Sequence, residues 1–305
     1  MPEWSAEVVV DRERARRLIA SQFPFVELRS LRLLAEGWDN AVWVVDDAWL
    51  FRFPRRQIAI PGVEREIAVL PRLAPLLPAP IPRPELVGRP AGGYPWPFFG
   101  ARLLPSFEAV EAGLTEAARV RLARPFGRFL RALHRPATLA AVAGHALPAD
   151  PMGRADMALR VPRTLAILEE VERARLWGAP DSLSDVLAAA RALPAPEASA
   201  VVHGDLHVRH LLVDREGGLT GVIDWGDLCR ADPSVDLILF WSFLPPRARE
   251  EFLAGYEPVG PARLLRARVL SLFLSATLLL YAEQEAMPNL RTESLDGLAR
   301  AAAAP

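Results

Sequence analysis

The residues able to do chemistry lie close together, between Val201 and Asp236, in a stretch that reads VVHGDLHVRHLLVD and continues as GVIDWGDLCRADPSVD. Two short apolar runs, Leu211 to Val213 and Gly221 to Ile223, flank a Glu216-Gly217-Gly218 turn and predict a pair of strands. Asp205 then falls in the loop before one strand and Asp224 at the end of the next. Phosphoryl transfer through a loose transition state asks mainly for positioning and charge neutralisation. It needs one carboxylate facing an attacking hydroxyl and others holding a metal ion against phosphates. Two aspartates flanking adjacent strands can supply that. The same stretch sets His203, His207 and His210 around Asp205, a ligand density that a zinc-dependent hydrolase could also use. The bland alternatives are a loop aspartate capping its own backbone and an N-cap after a strand.

The elements that must position these residues follow from apolar spacing. Asp11 predicts an N-cap for a helix over Arg12 to Ser21, followed by strands at Val26 to Leu34, Ala41 to Val45 and Trp49 to Phe53. Asp46-Asp47 reads as a hairpin turn, and Gly62 to Leu73 as a helix whose last turn Pro71 would disturb. Two short strands, Glu85 to Val87 and Phe98 to Leu104, punctuate the proline-dense segment Pro75 to Pro97. Helical spacing then dominates: Leu114 to His134, Asp156 to Trp177, Ser182 to Leu193, Ala262 to Glu285 and Leu295 to Ala303. The order predicts an α+β protein, a small β-rich lobe and a larger α-rich lobe meeting at a hinge near Arg102 to Ser106, with a cleft between them.

Composition narrows the partners. The chain has 305 residues, 51% of them hydrophobic, enough for a large core. Its 36 basic residues balance 37 acidic ones, so no long-range field draws nucleic acid or an anionic membrane. All the basic residues are Arg, which excludes lysine chemistry. The single cysteine, Cys229, has no disulfide partner and reads as a small buried hydrophobe. No secretory signal pattern opens the sequence, and the apolar stretch Val269 to Tyr281 is shorter than the ~20 residues of a membrane helix. A cytoplasmic protein is expected. His134, at a helix end, is expected to meet the C-terminal dipole, and Trp38 and Trp225 to serve packing.

His203-Gly204-Asp205, the His210 five residues after the Asp, Asp224-Trp225, and the trailing Asp232-Pro233 and Asp236 together resemble the aminoglycoside phosphotransferase family, which shares the protein-kinase-like fold. That family's loop usually has Asn where this chain has His210, and the histidine is closer to the macrolide phosphotransferase branch. The resemblance covers nearly the whole chain, with weaker motifs in the amino-terminal part. It implies a two-lobed α+β fold: a nucleotide-binding lobe, 1–103, with a small antiparallel sheet and one main helix, and a mostly helical catalytic and substrate-binding lobe, 104–305.

The resemblance also implies roles. Asp205 would orient or deprotonate the acceptor hydroxyl, and His210 and Asp224 would hold Mg2+. Glu36-Gly37-Trp38-Asp39-Asn40 looks like the phosphate-covering loop, with Gly37 and Asn40 at the nucleotide. Arg52 stands where protein kinases place a lysine, with Glu66 as its helix partner. Arginine suits phosphate and carboxylate alike. Arg102 and Leu104 would offer main chain to the nucleobase, and Ile223 would line the nucleotide site. The implied reaction moves the γ-phosphoryl group of ATP or GTP to a hydroxylated small molecule, an aminoglycoside or macrolide antibiotic among the candidates. A metabolite kinase of the homoserine, choline or methylthioribose type, a metal-dependent hydrolase and a non-catalytic nucleotide-binding pseudokinase remain alternatives. His203 is expected to be scaffold, bonded to its loop and to Asp236, and His207 to be an ordinary loop residue. Glu169, Glu170, Glu172, Glu283 and Glu285 could face a cationic acceptor.

Overall fold

The computed structural model describes residues 6–37, 39–145 and 147–303. Contacts divide the chain into two compact units, 1–75 with 80–105, and 76–79 with 106–305.

The first unit opens with helix α1 (Arg12–Gln22), whose N-cap Asp11 accepts a hydrogen bond from the Arg14 N–H at 2.7 Å. Five strands follow: β1 (Leu31–Glu36), β2 (Asn40–Val45), β3 (Trp49–Pro54) and, after helix α2 (Ile60–Leu73), β4 (Leu86–Gly88) and β5 (Phe98–Arg102). They form one antiparallel sheet in the order β1-β2-β3-β5-β4. Asp46 and Asp47 make the tight β2–β3 turn, both at positive φ (52° and 48°), as a primed two-residue turn requires. The strand predicted from Val26 begins only at Leu31, because Leu28 at φ 53° interrupts the extended run. β5 ends at Arg102, two residues short of the prediction, and α2 continues through Pro71 to Leu73.

Alternation along β3 sends Phe51 and Phe53 to one face and Arg52 to the other. The phenylalanines join Leu18, Ile19, Trp43 and Phe98 in the core under α1. Arg52 pairs in register with Phe99, which packs with Val63 and Ala101 under α2. Thus the sheet's period of two sets Arg52 on the α2 face, where Glu66 lies.

The second unit is mostly helical. After β6 (Phe107–Glu108) come α3 (Glu116–His134), α4 (Pro136–Ala141), α5 (Met157–Arg173) and α6 (Leu183–Arg191). Strands β7 (Ala200–Val202), β8 (Leu211–Val213), β9 (Leu219–Val222) and β10 (Cys229–Ala231) precede α7 (Ile238–Ser242), α8 (Pro246–Tyr256), α9 (Pro261–Gln284) and α10 (Pro288–Ala302). β7 pairs with β10, and β8 lies between β6 and β9. Helices α4, α7 and α8 and strands β6, β7 and β10 were not foreseen, and α10 starts seven residues before its predicted start at Leu295. The α+β architecture expected from the sequence is present. α9 is long and apolar enough to cross a bilayer, yet 56% of its most apolar window is buried inside the protein.

Candidate active site

Asp236 organises the loop that carries Asp205. Its fully buried carboxylate accepts the His203 N–H (2.7 Å) and the Gly204 N–H (3.0 Å), and the His134 Nε2–H at 3.0 Å. His134 Nδ1 in turn accepts from the Tyr256 hydroxyl at 2.8 Å. Burial alone would raise the Asp236 pKa, but the hydrogen bonds from His134 and from the His203 N–H hold it below the usual carboxylate range. His134 stands in the last turn of α3, as expected. Its imidazole links α3 to Asp236. Gly204 has φ +90°, and a Cβ there would stand 2.3 Å from the Asp227 carbonyl oxygen, so only glycine allows this approach.

The three loop histidines are tied down by local backbone. His203 Nδ1 accepts the Asp205 N–H at 3.2 Å while its Nε2–H donates to the Ile223 carbonyl at 2.9 Å. His207 Nδ1 accepts the Arg209 N–H at 3.3 Å. The His207 carbonyl accepts the His210 N–H, and His210 Nδ1–H donates to the Asp205 carbonyl at 2.7 Å. Burial drives the pKa of His203 down and that of His207 far down. His203 is thus scaffold, with Asp236 bonded to its backbone and not to its ring. Trp225 is fully buried against that ring and donates its Nε1–H to the Val222 carbonyl.

The two aspartates reach this cluster from either side. Asp205, 39% exposed, has Oδ2 3.8 Å from both His207 Nε2 and His210 Nδ1. Packing strips water from its carboxylate and raises its pKa, an effect that His210 opposes. Asp224 follows β9 at φ +64°, a left-handed conformation that aspartate tolerates, and its Oδ2 lies 3.5 Å from His210 Nε2. Ile223, between β9 and Asp224, bonds the His210 carbonyl through its N–H. Ligand atoms of Asp205, His207 and His210 all lie within 4.8 Å of one another. Cys229 is buried, its thiol pushed up to about 12 by burial.

In the first unit, Arg52 Nη1 lies 3.3 Å from Glu66 Oε1, with only 12% and 1% of the side chains exposed. Gly37 donates its N–H to the Asn40 carbonyl, and Arg55 Nη1 donates to the Gly37 carbonyl at 2.7 Å. Trp38 lies outside the described residues. Arg102 stacks its guanidinium 3.8 Å over the Trp49 ring at the end of β5, and Leu104 follows beyond the sheet.

A model of the phosphotransferase enzyme family matches residues 30–266. The chain belongs to this family. Solved structures of phosphotransferases share its fold. The GDP complex of wild-type aminoglycoside 2'-phosphotransferase-IIIa matches with a TM-score of 0.67 and 23% identity, covering 96% of this chain and 99% of that one. The GDP and kanamycin complex of APH(2")-IIia has a TM-score of 0.65 at 24% identity, covering 94% and 97%. Macrolide 2'-phosphotransferase MphH from Brachybacterium faecium matches at 0.62 and 23%, also covering 94% and 97%. An uncharacterized protein of Bacillus subtilis (strain 168), YcbJ, is 35% identical over 65 residues, and the match spans only 21% of either chain.

Three contacts around Asp205 and Asp236 are not legible in the sequence of this phosphotransferase. His207 is in the loop, as expected, but it is buried and its ring stacks on His210 at 3.8 Å between centroids. The repeated His-x-Asp and His-x-Arg spacing around Asp205 was the available signal. His134 and Tyr256 carry no local signal, because they meet Asp236 only after folding. The glutamates weighed for a cationic acceptor, Glu169, Glu170 and Glu172, are exposed on α5, and Glu283 pairs with Arg291.

Proposed function

We propose that this phosphotransferase moves the γ-phosphoryl group of ATP or GTP to a hydroxyl of a small molecule, with Asp205 orienting that hydroxyl and receiving its proton. The observation that carries the reading is the convergence of Asp205 and Asp224 on one histidine, His210. The GDP complexes of the structural relatives support a nucleotide donor, and kanamycin and macrolides point to an antibiotic-like, hydroxylated acceptor. Residues 1–103 would serve the nucleotide and 104–305 the acceptor.

Asp224, with His210 beside it, would hold Mg2+. With Nδ1 bonded to the Asp205 carbonyl, His210 turns Nε2 toward the Asp224 carboxylate. The Asp224 carboxylate offers the oxygen donors magnesium prefers, and the imidazole could join them. A bound ion would neutralise charge on the phosphates. In the first unit, Arg52, braced by Glu66, and the loop of Gly37 and Asn40 would serve nucleotide phosphates. Arg102, Leu104 and Ile223 would meet the rest of the nucleotide.

A zinc hydrolase is favoured by the Asp205, His207 and His210 grouping. Against it, both Nδ1 atoms are already engaged, His207 with the Arg209 N–H and His210 with the Asp205 carbonyl, which leaves only the Nε2 atoms for a metal. Elemental analysis separates the readings, since the kinase carries no stoichiometric zinc.

The direct test is a thermal-shift screen with ATP and GTP in Mg2+, followed by labelled phosphoryl transfer to aminoglycosides, macrolides and hydroxylated metabolites. Asp205→Asn should still bind nucleotide while transfer falls about 10²- to 10⁴-fold. Transfer at the parent rate would overturn the role of Asp205, and nucleotide binding without any transfer by the parent would indicate a pseudokinase.

A further inference from the structure

His203 and His207 share one local device: each Nδ1 accepts the backbone N–H two residues ahead, at 3.2 and 3.3 Å. A ring nitrogen that accepts a hydrogen bond presents a lone pair, so the ring proton must sit on Nε2. In His203 that Nε2–H is taken by the Ile223 carbonyl. In His207 it faces Oδ2 of Asp205, 3.8 Å away. The His207 ring is 7% exposed and stacked on His210, which is itself bonded to the Asp205 carbonyl. It is held in place, whereas the Asp205 side chain is 39% exposed. A carboxylate with two equivalent oxygens does not by itself present the same one to every acceptor.

We propose that His207 is a positioning residue for the transfer reaction: its Nε2–H engages one oxygen of Asp205 and leaves the other directed at the acceptor hydroxyl. This rests on the reading of Asp205 given above. The present separation is beyond hydrogen-bond range, and a turn of the carboxylate closes it, as catalytic contacts commonly tighten only when substrate is bound. The competing role is plain packing. A cavity of about 20 Å³, room for one water, adjoins His207 between Ile238, Leu274, Leu278 and Ser294, so the ring also fills space.

A double-mutant cycle separates the two roles. His207→Ala should lower kcat about 10- to 100-fold with nucleotide KM unchanged, and His207→Gln, which keeps an N–H donor, should recover most of the loss. His207→Phe fills the space without a donor and should behave like His207→Ala, which covers the case in which the smaller side chain unfolds the protein. In an Asp205→Asn background, loss of the His207 donor should cost less than about two-fold, because the group it orients is already disabled. Equal losses in both backgrounds, or full activity in His207→Phe, would overturn the proposal alone. Full activity in Asp205→Asn would overturn the Asp205 reading and this proposal with it.

Discussion

Asp224 shows how much a single residue's backbone can decide. At φ +64° it occupies a region that most side chains avoid and that asparagine and aspartate enter most readily, and its carboxylate lies beside His210 Nε2. Asp224→Asn keeps that conformational preference and removes the charge. The variant is expected to melt at the parent temperature and to lose the Mg2+ dependence of nucleotide affinity, measured by titration with and without the ion. Unchanged Mg2+ dependence would take Asp224 out of the metal site. His210→Asn puts a hard amide oxygen where the imidazole stood, a donor magnesium prefers. Transfer in Mg2+ should survive it, and complete inactivation would mean that the ring acts in some other way.

Between elements, the site depends on how closely two helices approach. α3 brings His134 and α8 brings Tyr256, and the pair holds Asp236 against the loop that carries Asp205. The approach rests on Gly127 of α3, where a Cβ would stand 2.3 Å from the Phe252 carbonyl oxygen and 2.9 Å from the Tyr256 nitrogen. Both are backbone atoms and cannot swing aside. Gly127→Ala should therefore destabilise the protein by about 1–3 kcal/mol, despite alanine's better helix propensity. Urea unfolding reads this directly, and a stability equal to or above the parent's would show that α8 yields without cost.

Across the molecule, buried neutral histidines set the response to acid. His203 and His207 have folded pKa values below the ordinary value of about 6.5 that they recover on unfolding. Below that pH the unfolded chain takes up protons the folded one refuses, so stability must fall as pH drops. Asp236, held low, adds to the loss below about pH 4, whereas Asp205, held high, takes its proton in the folded state and offsets part of it. Melting temperature measured without nucleotide is expected to be level above pH 7.5 and to decline between pH 7 and 5. A rise over that interval would contradict neutral burial of the two rings.

Period and local spacing made much of this protein readable from its residues. Trp49 to Phe53 read as a strand, Asp46-Asp47 as a hairpin turn, and the order Asp205, His210, Asp224 pointed to the family. Such signals survive in one dimension because each depends on neighbours a few residues away. α7 escaped because all five of its residues are buried, leaving no polar face to mark a helix. The bonds from Asp236 to His134 and from His134 to Tyr256 span 102 and 122 positions, and nothing local to those residues encodes them. The placement of His207 against Asp205 required the loop to close on its own backbone. Only in three dimensions does the protein choose which distant groups satisfy a buried carboxylate, because that choice is made by packing and desolvation.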